Sequence, residues 1–475
     1  MARFLRYDRL VLFAALGIHL GAVGAVHLRM GRVDAWAFES LDAREYYRIA
    51  RNLAEHGRFS QDEGEPFTPD TWRTPGYPLF LASLMLLLGT SPAVLVIVQH
   101  LLGVLNAYLL YVNAERRMSP RRAAVAAVLF AMEPYQLYYT FWLLATTWFV
   151  TVAMLLWWAW DRAIRRADAW PYGAAGLLAG LWVLVRPVAA FVPLLLLAGL
   201  IWHALRGRRR DSGAVAATTV DWRCVGLFAA GVVVAVAPWM ARNRFVAGHF
   251  ALSDQAGVVL AYFKAAEVVL WRDGRAADRY IETSLDPRQR DAPHTVWDSI
   301  DARLQDRFAE LPAADRSQLT WPNLAQGNRT PLDSFHISRE LARIGWSELT
   351  RSPLDTAICY AARSAAALTF PLNLVLFPAQ GIAKAGARRW LLSLPYVALL
   401  GAVIVRLSRG SWSFAGMFFP AACLLALLAA TAPQLDPRFR VPMVAMLLVL
   451  ALLPTQRGTR PGRDVDTGAQ DPGSR

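Results

Sequence analysis

The chain has 475 residues, 55% of them hydrophobic and 18 of them tryptophan, and its apolar residues come in long blocks separated by short arginine-rich breaks; this excludes one large soluble core and reads as a polytopic membrane protein. A formal net charge of +14 would point to nucleic acid in a soluble protein, but the arginines gather at the ends of apolar blocks, where they set topology and meet anionic headgroups, so no nucleic-acid partner is expected. Cys224, Cys359 and Cys423 lie in or beside apolar blocks without C-x-x-C spacing, which indicates neither a zinc site nor a disulfide framework.

In chain order, Arg3, Arg6 and Arg9 precede an apolar run from Val11 to about Val26. The run is longer than a signal-peptide core and the chain goes on to span, so it predicts an uncleaved first helix with a cytoplasmic N-terminus. Arg29 to Arg73 is then outside. Within it Tyr46, Ile49, Ala50 and Leu53 recur at i, i+3, i+4 and i+7, with Arg44, Arg48, Arg51 and Glu55 on the other faces. That is an amphipathic helix of the kind that lies along a membrane surface.

Apolar blocks at 76–89, 92–112, 121–133, 139–160, 171–185, 187–205 and 224–240 read as further spans. The breaks 115–122, 161–166 and 206–210 are short and basic and read as cytoplasmic; Glu133-Pro134-Tyr135 and Arg186-Pro187 then face the side of the first loop. Residues 241–353 form the long polar region, expected outside as a small helical subdomain.

The blocks 388–406, 412–432 and 440–455 read as spans, while 354–378 carries Arg363, Pro371 and Pro378, which disfavour a plain helix in lipid. If 354–378 is interfacial or re-entrant there are 11 spans, with Asp436-Pro-Arg-Phe-Arg440 outside and the tail cytoplasmic; if it crosses there are 12. The expectation is 11. The fold class is therefore all-α, divided into a transmembrane module (1–240), an outer-face unit (241–353), a second transmembrane module (354–455) and a tail (456–475) that is disordered by composition.

Chemistry concentrates in the stretch from Leu41 to Ala82. Asp42 and Glu45 form an acid pair, yet their spacing is also that of a capping box, and both readings stay open. Arg73, before Thr74-Pro75-Gly76-Tyr77-Pro78, suits a phosphate through its guanidinium fork, with snorkelling toward headgroups as the alternative. Arg242, Asn243, Arg438 and Arg440 are candidates for the same headgroup pocket, or anchors of topology. Tyr46, Tyr47 and Tyr77 are candidates to stack on a sugar, or interfacial anchors. His249, His294 and His336 read as surface residues. Asp42 and Glu45 give at most a sparse oxygen site, so no metal or other cofactor is expected.

Asp42 in the first outer loop, the run Tyr46-x-x-Ile49-Ala50-x-Asn52-Leu53 closing on Gly57-x-Phe59, and Arg73-x-Pro75-Gly76-Tyr77-Pro78-Leu79-Phe80-Leu81 together resemble the GT-C membrane glycosyltransferases. The likeness is to their bacterial branch related to protein O-mannosyltransferases and lipid A aminoarabinose transferases. Arg186-Pro187, Pro238-Trp239-x-x-Arg242-Asn243 with Gly248-x-Phe250, and Arg438-Phe439-Arg440-x-Pro442 extend it in the same order.

The resemblance implies transfer of a monosaccharide from a polyprenyl-phosphate donor to a lipid, glycan or protein acceptor at the outer face of the inner (plasma) membrane. It gives Asp42 the acceptor hydroxyl and Arg73 the leaving phosphate. One departure is Thr146, which stands where the family carries a second acid; Glu133 is a partial substitute. The rivals are an O-antigen-type polymerase or ligase, whose chemistry would centre on the large loop, and a transporter, which would carry more intramembrane charge.

Overall fold

The computed structural model describes residues 4–165, 168–207, 220–272, 331–369, 386–409, 414–432 and 437–453. His294, Pro371, Pro378, Asp436, Arg208 to Arg210 and the tail lie outside the described residues. Among the described residues the chain is all-helical, with no strand. The helices are α1 Phe4–Met30, α2 Leu41–His56, α3 Gly76–Leu88, α4 Pro92–Ala114, α5 Pro120–Ala131, α6 Pro134–Thr140, α7 Thr146–Ile164, α8 Trp170–Val185, α9 Phe191–Gly207 and α10 Trp222–Ala247. Then α11 Gln255–Val258 runs through a π-helical segment, Val259–Ala265, into α12 Ala266–Arg272. After these come α13 Pro331–Arg351, α14 Pro353–Thr369, α15 Gly386–Arg409, α16 Phe414–Thr431 and α17 Pro437–Leu452.

Local chemistry sets the starts. Ser91-Pro92, Ser119-Pro120 and Glu133-Pro134 each put proline in the first turn, where its missing N–H has no intrahelical partner to lose. Asp221 caps α10 by accepting from the Cys224 N–H at 3.1 Å. By length and composition, four described segments are able to cross a membrane: Tyr7–Met30, Pro92–Ala114, Pro187–Arg206 and Trp222–Ala247.

The bundle is held by devices suited to lipid, where apolar burial between helices adds little. Gln99, Asn106 and Asn113 recur every seventh residue of α4 and donate to backbone carbonyls of Trp142 (2.7 Å), Thr147 (3.1 Å) and Met154 (3.0 Å). His19 of α1 and His100 of α4 meet through their Nδ1 atoms at 2.9 Å. Helix α8 lies backbone to backbone on α10: a Cβ at Gly231 would fall 2.7 Å from the Leu177 nitrogen, and one at Gly180 would fall 2.9 Å from the Val232 oxygen. At the far ends of α4 and α7, Arg117 is paired with the fully buried Asp161.

Two sequence expectations need correction. The block 139–160 is not one helix, because α6 ends at Thr140 and α7 begins at Thr146, and Gln99 satisfies the carbonyls that the break leaves open. Block 76–89, read as a span, becomes α3, about 20 Å long at 1.5 Å per residue. Its start meets α2 through Tyr77 against Tyr46, with ring centroids 5.0 Å apart, and the turn after it meets α2 where Tyr47 donates to the Thr90 carbonyl at 2.8 Å. Both ends of α3 therefore lie at one end of the bundle. A crossing at α3 would put Ala241 on the side of the N-terminus, whereas Arg242 donates to the Asp70 carbonyl in the first loop.

On helix α2 the apolar face, with Ala43, Tyr46, Ile49 and Ala50, is buried against protein. In the polar region, α11 and α13 join where Ser338 Oγ accepts from the Gly257 N–H at 3.0 Å. Arg363 of α14 pairs with Glu267 of α12 at 2.9 Å.

The packing of α3 is checked by accessibility. An impermeant thiol reagent should modify Ser91→Cys and Arg44→Cys from the same side of intact membrane and Arg116→Cys from the other; Ser91→Cys reacting with the Arg116 side would restore α3 as a crossing.

Candidate active site

Ser40, in extended backbone, is the N-cap of α2, its hydroxyl accepting from the Ala43 N–H at 3.1 Å. This removes the capping reading of Asp42, which sits one residue inside the helix with its carboxylate turned to other partners. Glu45 follows three residues later on the same face. The helix closes at Gly57, whose φ of 67° is left-handed.

The loop that follows is tied back on itself. Asn52 donates to the carbonyls of Ser60 (2.8 Å) and Asp62 (2.7 Å), and the Asp70 N–H reaches Phe59 at 2.8 Å. Asp70 then accepts from the Arg73 N–H at 2.8 Å, a local turn that aims the arginine. The Pro-Gly-Tyr-Pro turn follows, and its glycine has a steric reason: a Cβ at Gly76 would lie 2.6 Å from the Val185 nitrogen, so only glycine lets α3 start against the end of α8.

Arg73 gathers the site. Its Nε donates to Glu45 at 2.6 Å, its Nη2 to Asp42, and its guanidinium lies 4.9 Å above the Tyr46 ring. With the Gln255 amide oriented by its hydrogen bonds, its oxygen accepts from Arg73 Nη1 at 3.0 Å and from Trp72 Nε1 at 2.7 Å. Arg438, from the start of α17, donates to the other Asp42 oxygen at 2.7 Å. Asp42 thus lies between two guanidinium groups drawn from opposite ends of the chain.

These environments push the carboxyls apart. Burial alone would raise Asp42, but Arg73 and Arg438 outweigh it and hold its pKa far below the carboxylate range. Burial raises Glu45 despite Arg73, and the negative charge of Asp42 adds to the rise. Asp70 is raised by burial. For Arg73 burial opposes the charge, yet Asp42 and Glu45 more than compensate, so it stays protonated. Neighbouring acids with divergent proton affinities are a common basis for acid and base roles.

Of the residues singled out from sequence, Asp42, Glu45, Arg73, Arg438 and Tyr46 meet here. Arg242 supports the site from behind through Asp70, with Trp239 4.7 Å below its guanidinium. Three others serve differently. Tyr77 is fully buried and donates to Gln99 at 3.0 Å, so its ring is not open to a sugar. Asn243 is fully buried and donates to the Ala251 carbonyl at 2.9 Å, bracing the loop after α10. Arg440 is buried between the rings of Tyr135 (4.6 Å) and Tyr396 (4.1 Å).

Glu133 accepts from the Tyr396 hydroxyl at 2.7 Å and from the Gln136 N–H, and Thr146 is buried with no hydrogen-bond partner for its hydroxyl among the described residues. Neither supplies a further acid to the Asp42 cluster.

The supporting loop was missed in the sequence. His249 is buried, not a surface residue; it meets Asp254 at 2.7 Å and stacks on Phe335 with ring centroids 3.8 Å apart. Asp254 in turn takes the Thr71 hydroxyl, and Ser253 donates to the Trp72 carbonyl. The Gly248-x-Phe250 motif is the local signal that marked this turn. Among the described residues no group of three or more His, Cys, Asp or Glu side chains is arranged to hold a metal.

Known proteins bear on this geometry. The family described as dolichyl-phosphate-mannose-protein mannosyltransferase matches residues 72–239, about a third of the chain, beginning beside Arg73. No curated protein matches. Among solved structures, the oligosaccharyltransferase of Archaeoglobus fulgidus, tethered to an acceptor peptide containing the NVT sequon, is 16% identical with a TM-score of 0.46; the match covers 95% of this chain and 50% of that one. The chain thus spans about half the length of that enzyme. ArnT from Cupriavidus metallidurans, bound to undecaprenyl phosphate, is 15% identical with a TM-score of 0.38, over 94% of this chain and 77% of that one. The resemblance to GT-C membrane glycosyltransferases read from the sequence motifs is met by the family match.

Arg73→Gln leaves Glu45 without its cation and Asp42 with one. Removing one partner from such a buried network is expected to cost about 3 kcal/mol or more, read as a lower apparent Tm in detergent than wild type. An unchanged melting curve would mean that Arg73 does not hold the cluster.

Proposed function

We propose, from the resemblance to GT-C glycosyltransferases, that the chain transfers a monosaccharide from a polyprenyl-phosphate donor to an acceptor hydroxyl at the α2 end of the bundle. The observation that carries this reading is Asp42, an ionised carboxylate set between Arg73 and Arg438 on a loop flanked by apolar helices. Such a site meets the demands of the reaction. Asp42 takes the proton of the attacking hydroxyl as the bond from the anomeric carbon to the phosphate oxygen breaks. The charge left on the lipid phosphate falls to a guanidinium.

The sequence assigned that phosphate to Arg73. Its donors are engaged with Glu45, Asp42 and Gln255, and its side chain is 7% exposed, so we give Arg73 the role of positioning the acids. The phosphate passes to Arg438, whose side chain is 19% exposed. Tyr46 supports Arg73 by its ring face. Both Asp42 oxygens are occupied by arginine, which favours a reaction without a divalent cation.

With α3 beside α2, the reading takes ten crossings, α1, α4, α5, α7 to α10 and α15 to α17, with both termini on the basic, cytoplasmic side and the site on the outer face of the inner membrane. Arg438 at the Asp42 end is what a non-crossing 354–378 segment requires. A polymerase or ligase centred on the large loop is less favoured, because the charge cluster is built on the first loop.

The test is transfer from a panel of radiolabelled polyprenyl-phosphate sugars to envelope extract by purified protein in lipid vesicles. Asp42→Asn should lower turnover about 100-fold or more, the scale of a lost general base. Full turnover by Asp42→Asn would remove the catalytic assignment.

A further inference from the structure

The four charges of the cluster are not equally enclosed. Arg73 and Glu45 keep 7% and 13% of their side chains exposed, whereas Asp42 keeps 28% and Arg438 keeps 19%. In the closed half, Arg73 is fixed by Glu45, by Gln255 and through its backbone by Asp70. The open half is the pair Asp42 and Arg438, joined by one bond from Arg438 Nη1 to Asp42 Oδ2 at 2.7 Å.

Around Arg438 the chain collects positive charge. Phe439, its neighbour, lies 5.3 Å under the Arg186 guanidinium, and Arg440 follows between two tyrosine rings. Asp42 is the most exposed of the four charged groups, and it occupies the Nη1 side of Arg438.

We propose that Asp42 is an internal stand-in for a phosphate: in the free protein its carboxylate occupies the anion seat of Arg438, and a phosphate-bearing ligand displaces it. This rests on the polyprenyl-phosphate reading and adds an order to it. A phosphate oxygen pair matches a guanidinium fork at least as well as a carboxylate and carries comparable or greater charge, so the exchange is balanced enough to be reversible. Asp42 keeps Arg73 throughout, because Arg73 is anchored on three other sides.

The exchange couples binding to chemistry. With Arg438 on it, Asp42 is a poor proton acceptor; once the phosphate takes Arg438, Asp42 has one cation fewer and a greater affinity for the acceptor's proton. The base is thereby switched on by the donor, and an acceptor or water that arrives first meets an inactive carboxylate.

A distinctive consequence is that a variant impaired in transfer should bind the lipid phosphate that transfer leaves behind more tightly. Binding of undecaprenyl phosphate, inorganic phosphate and phosphatidylglycerol to the full chain in nanodiscs, followed by tryptophan fluorescence, gives the comparison. Asp42→Asn, which removes the competing charge while keeping the shape, should tighten undecaprenyl phosphate about threefold or more, the scale of a lost, partly exposed ion pair.

Arg438→Gln should weaken binding, and the double variant should show no gain over Arg438→Gln. Glu45→Gln, whose carboxylate pairs with Arg73, should not reproduce the gain. An equal gain for inorganic phosphate would support a seat for the phosphate group alone, and a gain confined to undecaprenyl phosphate would support one that needs the polyprenyl chain. Unchanged or weaker binding by Asp42→Asn beside normal wild-type binding, or an equal gain from Glu45→Gln, would overturn the exchange alone. No binding of undecaprenyl phosphate by any of these folded proteins would overturn the donor reading and the exchange with it.

Discussion

A buried guanidinium must find anions or carbonyls for its donors, because the cost of taking the charge out of water is several kcal/mol. Arg73 meets that demand with Glu45 and Asp42 on α2 and Gln255 on α11. The partners come from two separate parts of the chain, so satisfying one side chain ties the first loop and the start of α3 to the short helix after α10. The Asp70 turn, the Ser253 and Asp254 contacts with Thr71 and Trp72, and Arg242 beneath Asp70 all act to keep that backbone in place.

The bundle gives this assembly something rigid to stand on. Amide side chains of α4 clip the backbone of α6 and α7 below the site, and the glycine seam draws α8 onto α10 closely enough to bring Arg186 and Arg242 to the same end. Gly76 continues that principle at the site, since its lack of a side chain lets Arg73 sit one turn from the end of α8. The result is a cluster with one well-anchored cation and one cation at an open edge. That asymmetry is what makes a carboxylate able to exchange partners there.

Much of this was legible in the sequence, and the rest was hidden for definite reasons. The period of Tyr46, Ile49 and Ala50 revealed α2, but hydropathy does not say whether an apolar face meets lipid or protein, and α2 and α3 turned out to cover each other. Asp42 and Glu45 stood at capping spacing, yet the cap is Ser40, because the helix begins at Leu41 and Asp42 is already inside it. Arg438 was marked by its motif, and its partner Asp42 lies nearly the whole chain away. Gln255, His249 and Asp254 carried no local pattern of chemistry, since their role arises only where the loop after α10 folds over Trp72. Asn243 and Tyr77 were polar residues near the right place whose hydrogen-bonding groups are consumed within the protein.

Which arginine faces the lipid phosphate decides whether Asp42 changes partner. A structure of the full chain with undecaprenyl phosphate reads this directly. The phosphate oxygens are expected against Arg438, with Asp42 released from Arg438 but still bonded to Arg73. A phosphate bound elsewhere, with the Asp42 to Arg438 bond intact, would contradict the exchange.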